Sequence, residues 1–78
     1  MPRYTEKQGQ YLAFIHYYTK IRGCSPSEAE MQRYFDVTPP TVHQMVLTLD
    51  KHGFIERSAG KARSIRVLLP RHELPELE

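Results

Sequence analysis

Between Thr38 and Lys51 the chain carries side chains suited to reading hydrogen-bond patterns rather than to breaking bonds. Gln44 presents an amide that donates and accepts at once. A bidentate pair with adenine N6 and N7 needs that chemistry and discriminates against a wrong base by about 1–3 kcal/mol. Thr41 offers a methyl to thymine or a hydroxyl to a phosphate. His43 can donate to a phosphate or a base acceptor, more strongly when protonated. Pro40, Gln44, Leu47, Thr48 and Lys51 share one side at helical spacing, with Thr41 and His43 on its flanks. A second set follows, in which Lys61 and Arg63 stand beside Gly60. Cations there would neutralise phosphates, giving affinity that falls with salt and carries no sequence information.

Other chemistry finds less support. Ser25, Ser27 and Ser58 sit in no nucleophile motif, and no glycine-rich phosphate loop is present. Glu28 and Glu30 fall in the first turn of a helix, where favourable interaction with the helix dipole explains them. His16, Cys24, His43, His52 and His72 lack the close pair spacings of a zinc site. The expectation is a protein that is not an enzyme and holds no metal and no cofactor.

The elements that must position these side chains follow from periodicity and capping. Val42, Met45, Val46 and Leu49 recur at spacings of three and four, which marks the buried stripe of a helix. Thr38 is its N-cap candidate, with a hydroxyl to accept from a first-turn N–H. Pro39 and Pro40 fall where first-turn N–H groups have no intrahelical partner, and Gly53 suits the stop. Upstream, Thr5-Glu6-Lys7-Gln8 and Ser27-Glu28-Ala29-Glu30 are capping boxes. The first opens a long helix near 6–22, with Leu12, Ile15, Tyr18 and Ile21 inward and Tyr11 and Phe14 flanking. The second opens a short helix near 28–35, with Ala29, Met31, Tyr34 and Phe35 as its apolar face. Asp36 takes the corner before Thr38, because Asp tolerates the left-handed conformation. Beyond Gly53 the period changes to alternation over 54–57 and 64–68, an antiparallel hairpin with Ile55, Ile65 and Val67 inward. The expected fold is mainly α with a small β-hairpin. It is a winged helix-turn-helix, with a three-helix core and a C-terminal two-stranded wing. Residues 1–70 form its one domain, beginning with a loose arm over 1–4, and residues 71–78 form an acidic, flexible tail.

Composition agrees. Seventy-eight residues make one small domain with a thin core. The formal charge of +2 is unevenly laid out. Lys51, Arg57, Lys61, Arg63, Arg66 and Arg71 meet only Glu56 between positions 51 and 71, whereas Glu73, Glu76 and Glu78 close the chain. A basic cluster of this kind is the footprint of a polyanion. The single cysteine, Cys24, excludes an internal disulfide. No run approaches the roughly 20 apolar residues of a membrane span, and the first residues lack a signal-peptide core. The expected location is the cytoplasm, on the nucleoid in a bacterium, with no membrane association.

Five segments together resemble the N-terminal DNA-binding domain of the LexA repressor family. They are Thr5–Gln8, Ser25–Glu30, Thr38–His43, Lys51–Ile55 and Gly60–Val67, in the family's order and spacing. The resemblance covers about residues 4–69 and implies a winged helix-turn-helix that sets its third helix in the DNA major groove. By position it assigns contact with bases, or with DNA at the helix-turn, to Thr38, Pro40, Thr41, His43 and Gln44, and Thr48 joins them as a candidate on the same side of the helix. The phosphate side falls to Lys51 and to the wing residues Gly60, Lys61 and Arg63. Family members also carry a C-terminal peptidase domain that cleaves an Ala-Gly bond in a linker. These 78 residues hold no such domain, and Ala59-Gly60 falls on the wing turn, so self-cleavage is not expected of them.

The implied function is sequence-specific binding of double-stranded DNA in transcriptional regulation, as a repressor. The alternative is a winged helix used as a protein-interaction module. It is motivated by Leu47, which stands outward where a polar residue is usual in the family. A homodimer on paired half-sites stays open, because no segment selects a dimer surface.

Overall fold

The computed structural model describes residues 3–78. Three helices, α1 (Glu6–Arg22), α2 (Glu28–Phe35) and α3 (Pro39–Lys51), precede an antiparallel pair, β1 (Ile55–Glu56) and β2 (Arg66–Val67). A short 3-10 turn, Arg71–Glu73, follows. This is the winged helix-turn-helix architecture expected from the pattern.

Both capping boxes form. The Thr5 hydroxyl accepts from the Gln8 N–H at 3.1 Å, and Gln8 Oε1 accepts from the Thr5 N–H at 2.9 Å. Ser27 and Glu30 repeat the exchange at 3.2 and 2.8 Å. α3 ends in a two-bond clasp: the Gly53 N–H reaches the Asp50 carbonyl and the Phe54 N–H reaches the Leu49 carbonyl, each at 3.0 Å. That closure needs a left-handed residue at the turn, and Gly53 supplies it at φ 78°. The chain thereby reverses straight into β1.

The core is a single cluster fed by every element. α1 contributes Tyr11, Leu12, Phe14 and Ile15, and α2 contributes Met31. α3 adds Val42, Val46 and Leu49, and the hairpin region adds Phe54, Ile55 and Ile65. Tyr11 stacks on Phe35 with ring centroids 4.0 Å apart, and Phe14 stacks on Tyr34 at 4.4 Å. Each fully buried apolar side chain of this size contributes about 1.5–3 kcal/mol relative to exposure. Met45 and Val67 pack against the cluster half-buried.

The expected inward faces need correction at three places. Ile21 is 77% exposed, because the buried stretch of α1 ends at Ile15 and the stripe has run out of partners by the last turn. On α2 only Met31 is buried, while Ala29 is exposed and Tyr34 is 45% exposed. An eight-residue helix turns one narrow stripe inward, Met31 with Phe35, and leaves the flanks in solvent. The strands are also shorter than the alternation suggests. Ile55 faces Val67 and Glu56 faces Arg66, and the ladder ends there. Beyond it Arg63 adopts a left-handed φ of 54°, and the Ser64 hydroxyl accepts from the Ser58 N–H at 3.0 Å, so a side chain replaces the next backbone rung.

Both ends of the described chain pack on α1. The notional arm lies partly outside the described residues, which begin at Arg3. Tyr4 meets Phe54 edge-on at 6.1 Å, and its hydroxyl donates to the Glu73 carbonyl. Leu74 and Leu77 pack against the core. The Gln10 amide donates to the Glu76 carbonyl and accepts from the Glu78 N–H, both at 2.9 Å. Gly9 permits this crossing, since a Cβ there would stand 2.7 Å from the Tyr4 ring and 3.1 Å from Pro75.

Candidate nucleic-acid interface

α2 and α3 are joined at Asp36, whose φ of 55° and ψ of 53° turn the chain. The Val37 N–H closes the corner on the Gln32 carbonyl at 3.2 Å. Thr38 then takes the N-cap position of α3, but not in the expected manner. Its side chain makes no cap hydrogen bond and instead pairs with the Thr41 hydroxyl at 2.9 Å. Pro39 and Pro40 remove the two N–H groups nearest the cap, and those of Thr41 and Val42 are already bonded to the Thr38 carbonyl at 3.1 and 3.2 Å. The Thr38 hydroxyl is therefore left to its neighbour.

The solvent-facing side of α3 gathers part of the sequence-derived set. Pro40, Thr41, Gln44 and Thr48 line one shallow depression with Met45 and with Gln8 of α1. The Gln44 side chain is exposed and makes no hydrogen bond among the described residues. The Thr48 hydroxyl donates to the Gln44 carbonyl at 2.9 Å, so its proton is held by its own helix. Leu47 is 36% exposed.

A second cleft of about 390 Å³ lies between the wing, the start of α2 and α3. His43, Gly60, Lys61 and Arg63 line it, together with Glu28, Arg57 and others. Thr38 is tied to the first group through Thr41. Lys51 is exposed at the end of α3 and lines neither.

Lys61 and Arg63, equivalent in the sequence reading, differ here. Lys61 is exposed and makes no ion pair among the described residues. Arg63 turns inward: its Nη1 donates to Glu30 Oε1 at 2.8 Å and to the Ser25 carbonyl at 3.1 Å. Glu30 also accepts from the Ser27 N–H and from the Tyr18 hydroxyl. The Ser27 N–H most of all, then the Tyr18 hydroxyl and the Arg63 guanidinium, hold the Glu30 carboxyl down to a pKa of about 2. Glu30 in turn raises Arg63 above its ordinary value. One carboxylate thus caps α2, ties α1 to it and fastens the wing to both.

Two participants, Gln8 and Glu28, lay outside the interface expected from the sequence, and a third, Arg57, entered it only as a member of the basic cluster. Gln8 reaches the α3 depression from another helix, and no local pattern announces that. Glu28 meets His43, fifteen positions on, with Oε1 and Oε2 at 3.2 and 3.4 Å from Nδ1. Arg57 pairs with Asp50 at 3.4 Å. Its charge and place in the basic cluster were legible in the sequence, but its pairing with Asp50 was not. Among the described residues no cluster of His, Cys, Asp and Glu is arranged to hold a metal, and no helix is long and apolar enough to cross a membrane.

A helix-turn-helix with an exposed amide and hydroxyl face, flanked by a wing that carries a free lysine, defines a DNA-binding class of winged helix domain. The LexA DNA binding domain family model matches residues 1–64. The chain belongs to that family, whose model is that of a DNA-binding domain. It is 38% identical over 68 residues to the LexA repressor of Thermosipho melanesiensis, covering 87% of this chain and 34% of that protein. Against the LexA repressor of Thermotoga petrophila it is 40% identical over 63 residues, 81% of this chain and 32% of the relative. The LexA repressor of Acidiphilium cryptum matches at 34% over 65 residues, 82% and 28%. The chain therefore spans about a third of the length of these relatives.

Proposed function

We propose that this domain binds double-stranded DNA sequence-specifically and acts in transcriptional regulation, as a repressor. In this reading α3 enters the major groove, and Pro40, Thr41, His43, Gln44 and Thr48 meet base edges, with Thr38 at the helix-turn. Lys51, Gly60, Lys61 and Arg63 lie along phosphates. The observation that carries it is the Gln44 amide: exposed, without a hydrogen-bond partner among the described residues, and on the side of α3 away from its buried stripe. The DNA-contacting unit is placed within residues 1–70, because Glu73, Glu76 and Glu78 would repel a phosphate backbone. The location that follows is the cytoplasm, on the nucleoid in a bacterium. A homodimer on paired half-sites would raise an affinity that one small domain leaves modest.

Selection from randomised duplexes, followed by affinity measured over a salt series, tests this. The expected result is a recoverable consensus and a negative slope of about 0.9 per contacted phosphate in log affinity against log salt. Affinity without consensus would remove the sequence-specific part. The second reading, a protein-interaction module, draws on the exposed Leu47, Ile21 and Tyr34. Nuclear magnetic resonance shifts on adding mixed duplex distinguish the two: shifts at α3 and the wing support DNA, and silence there supports a protein partner.

A further inference from the structure

The Glu28–His43 contact joins a carboxylate to a side chain of the reading helix, and nothing in the DNA assignment above uses it. We propose that Glu28 is a positioning and specificity-determining residue. By accepting from His43 Nδ1 it holds the neutral imidazole in its Nδ1–H tautomer, so that Nε2 reads the duplex as an acceptor. This rests on the DNA reading of α3.

A neutral imidazole has one N–H and one bare nitrogen, and the partner of the first decides the role of the second. An ionised carboxylate can only accept. With both Glu28 oxygens on the Nδ1 side, at 3.2 and 3.4 Å, the proton belongs on Nδ1. Nε2 lies on the far side of the ring, and the His43 side chain is 56% exposed, so that nitrogen is open to a ligand. A bare Nε2 in the major groove pairs with the amino group of adenine or cytosine, and not with the carbonyl oxygens of guanine or thymine.

The charged groups around the ring are few. Glu28 faces it from α2, and Arg57, Lys61 and Arg63 line the same cleft from the hairpin. Arg57 is paired with Asp50 and Arg63 with Glu30, which leaves Lys61 as the cation of that cleft without an ion pair among the described residues. A carboxylate on a DNA-facing cleft also weakens binding to every sequence alike. The pair therefore trades general affinity for selection at one position.

Glu28→Gln tests this, because it keeps the shape and removes the acceptor-only character: an amide can also donate to a bare Nδ1. Ring nitrogen resonances of His43 in the free protein at about pH 8, where imidazole is neutral, report the tautomer. The expected wild-type form is Nδ1–H, with Glu28→Gln and Glu28→Ala moving it towards Nε2–H. A wild-type Nε2–H ring, or no movement in either variant, overturns the tautomer lock. His43→Ala identifies the base pair concerned. At that pair alone, Glu28→Gln should lower discrimination for adenine or cytosine roughly tenfold. Discrimination unchanged in Glu28→Gln overturns the specificity role. If the wild type yields no consensus from random duplexes, the DNA reading fails and base selection with it, while the free-protein resonances still report the lock separately.

Discussion

Replacing Gln44 by alanine separates base reading from phosphate attraction. Gln44 is exposed, sits in the second turn of α3, and its side chain bonds to nothing among the described residues. The folded domain therefore loses no internal contact, and its stability should move by no more than about 0.5 kcal/mol, as at an ordinary surface site. Bound to DNA, the loss is one bidentate pair, about 1–3 kcal/mol, or roughly five- to 150-fold in affinity. That loss belongs to one base pair of the site. Every other position should keep its discrimination, and the salt slope should stay as in the wild type, since an amide neutralises no phosphate. Lys61→Ala is the control. It should weaken all duplexes alike and reduce the magnitude of the salt slope by about 0.9, while base preferences persist. Fluorescence anisotropy against the selected site and its single-base variants, over a range of salt, reads both. Equal losses from Gln44→Ala on every variant, or a changed slope, would refute the assignment of α3 as the reading element.

Arg63→Ala should behave unlike Lys61→Ala, because Arg63 is tied to Glu30 and Ser25: the expected outcome is a loosened wing, seen as faster hydrogen exchange at residues 58–66, with a smaller change in salt slope. The Glu30 carboxyl, held down to about 2, binds a proton more weakly in the folded chain than in the unfolded one. Stability from this group is present above about pH 4.3 and is lost as pH falls towards 2, so Glu30→Gln should flatten the acid limb of urea midpoints taken from pH 7 to pH 2.5. Leu49→Ala, at a side chain with no exposed surface, should cost about 2–5 kcal/mol in the same melts. Removing residues 71–78 takes away two half-buried leucines and the bonds to Tyr4, Gln10 and Tyr34; it should cost about 1–3 kcal/mol, and an unchanged urea midpoint would show that the segment adds nothing.

Local rules accounted for much of the molecule. Capping boxes at Thr5 and Ser27, the left-handed corner at Asp36 and the stop at Gly53 are properties of a few adjacent residues, and each formed as its chemistry requires. The stripe of α3 was legible for the same reason, since helical spacing alone sets Val42, Val46 and Leu49 on one side. Thr38 shows the limit of that reasoning: a good N-cap residue, it bonds instead to Thr41, because two prolines remove the donors nearest to it.

What depended on the third dimension was every question of which distant groups meet. Periodicity set Ile21 inward, but whether a stripe is buried depends on how far the packing partner extends, and here it stops short. Lys61 and Arg63 have like charge and like position in the wing. Only packing brings Glu30, some thirty residues away, against one and leaves the other in solvent. The same holds for Glu28 and His43, whose separation of fifteen residues carries no periodic signal. The sequence by itself determined the helices, their ends and the polar face of α3, because backbone caps and side-chain spacing act within a turn or two. Tertiary structure decided which charges remain free for a partner, because an ion pair forms wherever the fold brings opposite charges within hydrogen-bond reach.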